Sequence, residues 1–326
     1  VTSVLLVSLG STAGLRSSDA ELAASLERAG ASVTLAEALP PRSVRTLALT
    51  DLVWARAARV AAAGAISRRR PDAIIYSTIT AALLAPAPGA IRLDALSVAN
   101  RPGRHGIWQR PRERRVLVRA PLLLAVSDGA LAGAPASIGR VIVVPIAVER
   151  SGALLEGAQR DIAAITYATN PAKKGLDIVL AAWSAARRDG EELLIAGVAA
   201  VPGAPAGVRA IGALERGAYR ALLRRARLYI AASRREEYGI AQLEALTDGA
   251  MLVSTETPLS YPALDIAREL DPRLVGGDLA GAIRIALDDP RAGYAAAAAP
   301  ALERFASASV DRIVAEQVLP ALSGLA

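Results

Sequence analysis

The chain predicts an α/β fold of two Rossmann-like, doubly wound domains. Three observations carry that prediction. Short apolar runs alternate with helical patterns along the chain, the alternation breaks near Pro145 and restarts, and 326 residues suffice for two domains of ordinary size. The expected division puts one domain at 1–146 and a second at 147–300, with 301–326 as a helix packing back on the first.

Each element has a local reason. Residues 4–10 (VLLVSLG) are a nearly continuous apolar run closing on glycine, as suits a buried parallel strand. Residues 19–29 then place Leu22, Ala23 and Leu26 on one helical face, and 30–35 open a second strand to complete a βαβ unit. Further strands are expected at 73–76, 90–94, 122–126 and 141–144. After Pro145 come a strand at 162–167, a helix at 176–188, and strands at 193–196 and 208–211. A helix at 218–226, a strand at 227–232, a helix from 241 and a strand at 251–254 follow. The alanine run 295–299 sits in a helix, and Leu302, Phe305, Val310, Ile313 and Val314 mark a terminal helix over 300–325.

Composition excludes several classes. No run of about 18 apolar residues is free of charge, which argues against a membrane span. Val1-Thr-Ser-Val-Leu-Leu-Val leads directly into a strand without a basic n-region, unlike a signal peptide. Cysteine is absent and His105 is the single histidine, which removes disulfides and thiolate metal sites and argues against zinc. These features fit a cytoplasmic protein. The charge is uneven: residues 1–150 carry 19 basic and 10 acidic side chains, a balance of +9, whereas 151–326 carry 19 and 21, a balance of −2. The densest basic stretch, 101–119, holds Arg101, Arg104, His105 and Arg110. It suits an anionic membrane surface or a phosphorylated acceptor. One Trp and no Tyr or Phe interleave with these arginines, which argues against nucleic acid.

The chemistry concentrates at Ser233-Arg-Arg-Glu236-Glu-Tyr238-Gly239-Ile240-Ala-Gln-Leu-Glu244. Two carboxylates stand eight positions apart across an expected strand-to-helix junction. Gly239 allows a sharp turn and close approach of a ligand to the backbone. The amides opening the next helix then face an anion, most naturally a phosphate. Two acids flanking an anion site suit a ligand with hydroxyls on both sides of its phosphates, as a nucleotide sugar has. Upstream, Pro171-Ala-Lys173-Lys174-Gly175 puts a lysine beside a glycine before a helix, within reach of the same anion. Gly10-Ser-Thr-Ala-Gly14 follows the first strand, but is neither GxGxxG nor GxxxxGK, so dinucleotide and P-loop readings lose their support.

Glu236 to Glu244 resembles the E-x7-E motif of the retaining glycosyltransferases of family four, which have the GT-B fold. Lys173-Lys174-Gly175 resembles that family's lysine-glycine element, Gly212-Ala-Leu214 its nucleotide-base segment, and 144–149 its interdomain linker. Gly14 matches the second glycine of its Gly-Gly loop, with Ala13 in place of the first. The resemblance implies two domains facing across a cleft, with a C-terminal helix crossing back to the first. It implies transfer of a sugar from a nucleotide-diphosphate donor with retention and without a metal cofactor. Lys173, Lys174, Gly14 and Gly239 would meet the diphosphate, Leu214 the base, Glu236 the transferred sugar, and Glu244 the ribose, with Tyr238 and Ile240 beside them.

Two departures stand out. The phosphate-binding arginine expected in 167–170 is missing, leaving Lys173 or Arg234 to compensate. Asp94 stands where the family commonly has a histidine at a strand end, and His105 lies in the following loop. The first domain is expected to face the acceptor, itself anionic or membrane-associated, with peripheral contact to an anionic membrane. A nucleotide-sugar epimerase or hydrolase of the same architecture, and a non-catalytic basic binding protein, are the alternatives. The sequence is silent on base, sugar, acceptor and oligomeric state.

Overall fold

The computed structural model describes residues 1–44, 46–101 and 103–325, apart from the side chains of Ala13, Leu47 and Ala48. Pro102 of the basic stretch lies outside the described residues. The chain divides into two units: Val1–Ala147 with Phe305–Ala326, and Val148–Arg304.

The first unit begins β1 (Ser3–Ser8), α1 (Ala13–Arg28), β2 (Ser32–Glu37), α2 (Leu47–Arg68), β3 (Ala73–Tyr76) and α3 (Ile79–Ala82). It continues β4 (Ala90–Leu93), α4 (Ser97–Asn100), α5 (Gln109–Arg119), β5 (Leu122–Ala125) and β6 (Arg140–Val143). The strands pair in parallel in the order β2-β1-β3-β4-β5-β6. Both neighbours of β1 are reached by crossovers in opposite directions, so the topological switch point lies between β1 and β3.

The second unit runs β7 (Ile162–Tyr167), α6 (Pro171–Lys174), α7 (Leu176–Ala186), β8 (Leu193–Ala196), β9 (Val208–Gly212) and α8 (Arg216–Arg225). Then follow β10 (Ala226–Ala231), α9 (Ile240–Thr247), β11 (Met251–Ser254), α10 (Pro262–Leu270), α11 (Leu279–Asp288) and α12 (Tyr294–Leu302). Its parallel sheet has the order β11-β10-β7-β8-β9, with the switch point between β7 and β10. Two Rossmann-like sheets are thus present, as the alternation of apolar runs predicted.

The end of the chain completes the first unit. α13 (Ser307–Ile313), a π-turn at Val314–Val318 and α14 (Leu319–Ser323) send Val310, Val314, Val318 and Leu322 into the core formed by Val4, Leu6, Leu26 and Leu124. Asp311 fixes the join, accepting from Ser25 Oγ and the Arg28 guanidinium at 2.7 and 2.8 Å.

The structure departs from expectation at several elements. α1 starts at Ala13 rather than 19, because the Thr12 hydroxyl accepts from Leu15 N and caps it. The expected helix over 300–325 is broken: Pro300 lies inside α12, and a 3₁₀ turn at Glu303–Phe305 precedes α13. α2 to α6, α10 and α11 have no counterpart among the expected elements.

Candidate active site

In an open parallel sheet, ligands bind beyond the carboxyl ends of the strands at the switch point. In the second unit two loops occupy that place, one after β7 carrying Lys173, Lys174 and Gly175, and one after β10 carrying residues 232–239. They are packed directly on each other. Arg234 N donates to Lys173 O at 3.0 Å. Gly175 has φ +62°, and a Cβ there would fall 2.0 Å from Ala232 O, so no other residue fits between the loops.

Glu236 sits at the centre, 7% exposed. Its Oε2 accepts from Lys174 Nζ at 2.5 Å, Ser233 Oγ at 3.0 Å and Gln242 Nε2 at 3.1 Å. Burial pushes its pKa up, but the Lys174 ammonium and these hydrogen bonds outweigh it and hold the carboxyl below the usual glutamate range. Three donors thus converge on the one oxygen. Lys173 Nζ pairs with Glu237 at 2.7 Å.

The next element is α9, capped by glycine. Gly239, at φ +77°, caps α9, and a Cβ there would lie 2.6 Å from the Tyr261 ring. Ile240 begins the helix, and Tyr238, 4% exposed, precedes the cap. Glu244 lies one turn further in, 6% exposed. Its Oε1 accepts from Arg216 Nη2 at 3.0 Å and Nε at 3.1 Å, and from Arg220 Nη1 at 3.4 Å. Arg220 is itself buried, donating from Nε to Asp248 at 2.6 Å and from Nη2 to Glu149 O at 2.8 Å. Asp248, fully buried, also accepts from Ser151 N and Oγ. Buried charges of both signs therefore compensate one another around the base of α9. Leu214, 39% exposed, stands in the loop between β9 and α8, two residues before Arg216.

The structure thus brings Lys173, Lys174, Glu236, Tyr238, Gly239, Ile240 and Glu244 together at one switch point. Arg234, a candidate for the missing phosphate cation, is engaged elsewhere: it clamps Asp177 through two bonds of 2.9 and 2.6 Å and donates to Ala172 O. Sequence reasoning missed Ser233, Gln242, Arg216 and Arg220. For the arginines a signal existed: Arg216 and Arg220, and Glu244 and Asp248, are matched i,i+4 pairs on consecutive helices.

The remaining candidates are in the first unit. Gly14 lies in the first turn of α1, with open space around it, while the positive φ of that loop belongs to Gly10. Asp94 follows β4 directly. Within β4, the buried Arg92 donates to Ser18 Oγ at 2.8 Å and approaches Asp19 at 3.4 Å. His105 and Arg104 are exposed in a 3₁₀ turn. Arg101 and Arg110 shape that loop: Arg101 grips Asp51 at 2.7 and 2.9 Å, and Arg110 donates to Arg101 O and Gly103 O.

Two Rossmann-like units, one bearing a lysine, two buried acids and a glycine-capped helix at its switch point, have the architecture of the GT-B fold. Residues 160–289 match the family model described as glycosyl transferases group 1. That stretch spans most of the second unit, and the chain as a whole has the GT-B fold. No curated protein sequence matches the chain. Among solved structures, sucrose-phosphate synthase from Thermosynechococcus elongatus superposes with a TM-score of 0.76 at 12% identity, over 99% of this chain and 100% of that one. HepE of Anabaena, in complex with UDP-glucose, gives 0.71 at 15% identity over 98% and 99%. WaaG, a glycosyltransferase involved in lipopolysaccharide biosynthesis, gives 0.63 at 16% identity over 99% and 98%.

Proposed function

We propose that the chain moves a sugar from a nucleotide-diphosphate sugar to an acceptor hydroxyl with retention of anomeric configuration. The observation that carries this reading is the pairing of Lys174 with Glu236 at the switch point, one loop before a glycine-capped helix holding Glu244. The complex of HepE with UDP-glucose supports a nucleotide-sugar donor for a protein of this fold.

In this reading Glu236 Oε1 accepts from hydroxyls of the transferred sugar while Lys174 holds its Oε2. Lys173, Lys174 and the amides opening α9 stabilise the diphosphate as the bond from its oxygen to the anomeric carbon breaks. The acceptor oxygen forms its bond on the same face of the sugar, and its proton passes to the departing diphosphate oxygen. Glu244 takes the ribose hydroxyls, and Leu214 packs on the base beside Tyr238 and Ile240. Charge neutralisation by lysines and amides, in a chain without an Asp-x-Asp pair, fits a reaction that needs no metal. The balance of +9 over residues 1–150 supports an anionic or membrane-associated acceptor and a peripheral contact at the inner membrane face, with Arg101, Arg104, His105 and Arg110 in the basic stretch.

The test is donor binding by Glu244→Ala and Glu244→Gln. Removal of Glu244 leaves Arg220 paired with Asp248, so the fold is retained. A thermal-shift comparison of UDP-, GDP- and ADP-glucose first selects the donor. Calorimetry is then expected to show at least tenfold weaker binding for both variants. Unchanged affinity refutes the ribose assignment.

A further inference from the structure

The β3-to-β4 crossover in the first unit is short. A parallel connection commonly lays a full helix on the sheet; residues 77–89 form only the single turn of α3, followed by the loop 83–89 (LLAPAPG). Between that loop and α5 lies a groove of about 410 Å³. Tyr76 and Ile91, register partners on one face of the sheet, contribute to its lining.

The groove is built rather than incidental. The loop has no strand to pair with, and side chains take its carbonyls instead: Arg112 Nε donates to Leu83 O at 2.6 Å, Arg59 Nη1 to Leu84 O at 3.0 Å, and Tyr76 OH to Ala87 O at 2.8 Å. Gly89 packs so closely that a Cβ would fall 2.7 Å from Ile74 O. A wall fixed in this way loses little entropy when a ligand binds.

Its charge has one sign. Arg112, Arg115 and Arg119 line the α5 wall and are exposed. At spacings of three and four residues they share one helical face, spread over about 10 Å. Among the described residues no acid lines the groove; Glu113, between them in sequence, is turned away and buried against Ser97 N and Oγ. The volume falls within the roughly 300–1,000 Å³ of small-molecule sites. Gly89 and Pro121 immediately precede β4 and β5, so the groove reaches the N-terminal edge of the sheet, opposite the edge where such folds place their chemistry.

We propose that this groove is a second ligand site, taking a soluble organic phosphate. The apolar body lies along the loop of Leu83 to Pro88, and the phosphate oxygens meet the guanidinium groups of Arg115 and Arg119, which match them in charge and planar geometry. The site is independent of the transfer reaction proposed above.

Phenyl phosphate and inorganic phosphate are the probes, titrated into the whole chain with amide shifts followed at Leu84 and Val116. Saturable binding of phenyl phosphate, tighter than inorganic phosphate and at least tenfold weaker in Arg115→Ala/Arg119→Ala, is the expected result. Both arginines are exposed, so the double variant keeps the parent unfolding midpoint; Arg115→Gln/Arg119→Gln gives the same comparison with less loss of side chain. Absence of saturable binding, or equal affinity in the double variants, overturns the proposal. Sedimentation with phosphatidylglycerol vesicles that depends on these arginines, without phenyl phosphate binding, makes them a membrane contact and overturns it as well.

Discussion

Glu236 shows how one carboxylate is kept ionised in a buried place. Desolvation alone would raise its pKa; Lys174 at 2.5 Å reverses the sign. A carboxyl held below its ordinary value stabilises the fold fully above the unfolded glutamate range, and that contribution fades as pH falls through the lowered folded value. Removing the lysine leaves the burial in place. Lys174→Met is therefore expected to move the Glu236 titration, followed by carboxyl ¹³C shifts, above the ordinary glutamate range, and the acid loss of stability to higher pH. An unmoved titration would mean that Ser233 and Gln242, not the lysine, set the charge state.

At the scale of elements, the entry to α9 depends on Gly239 for two separate reasons, its left-handed φ and the Tyr261 ring against its α-carbon. Gly239→Ala is expected to cost about 2–4 kcal/mol in denaturant unfolding, the sum of a left-handed alanine and an overpacked contact. Combining it with Tyr261→Leu should recover only the packing share; full recovery would show that the backbone carries no strain. Much at this scale was legible in the sequence. Every expected strand is present, because buried parallel strands are apolar runs punctuated by glycine, proline or charge. α2 was harder to see: its buried positions Ala55, Ala58, Ala62 and Ala65 have helical spacing, but alanine contrasts weakly with its neighbours. The motif pair of Glu236 and Glu244 was readable as spacing. The partners were not, since which ammonium reaches which oxygen depends on loops 62 residues apart meeting at the β7–β10 junction. Arg234 illustrates the same limit: it looked available for phosphate, and it is clamped on Asp177.

At the scale of the whole molecule, the first unit is assembled from both ends of the chain. Val310, Val314, Val318 and Leu322 fill its core, all 5% exposed or less. Ending the chain after Arg304 would uncover Val4, Leu6 and Leu26 on the facing side. Hydrogen exchange is expected to show lost protection in β1, β3 and α1 of the truncated chain, while β7 and β10 keep theirs. Equal loss in both units would mean that they unfold as one body.

That construction also dictates a sequence of events on the ribosome. Residues 148–304 are contiguous and close their own sheet, so they can fold as soon as they emerge. The N-terminal portion, although made first, lacks part of its core until 305–325 are out. It must wait with apolar surface uncovered during synthesis of roughly 160 residues, which at about 5–20 residues per second is on the order of ten to thirty seconds. The part synthesised first is thus the one most in need of protection by a nascent-chain chaperone.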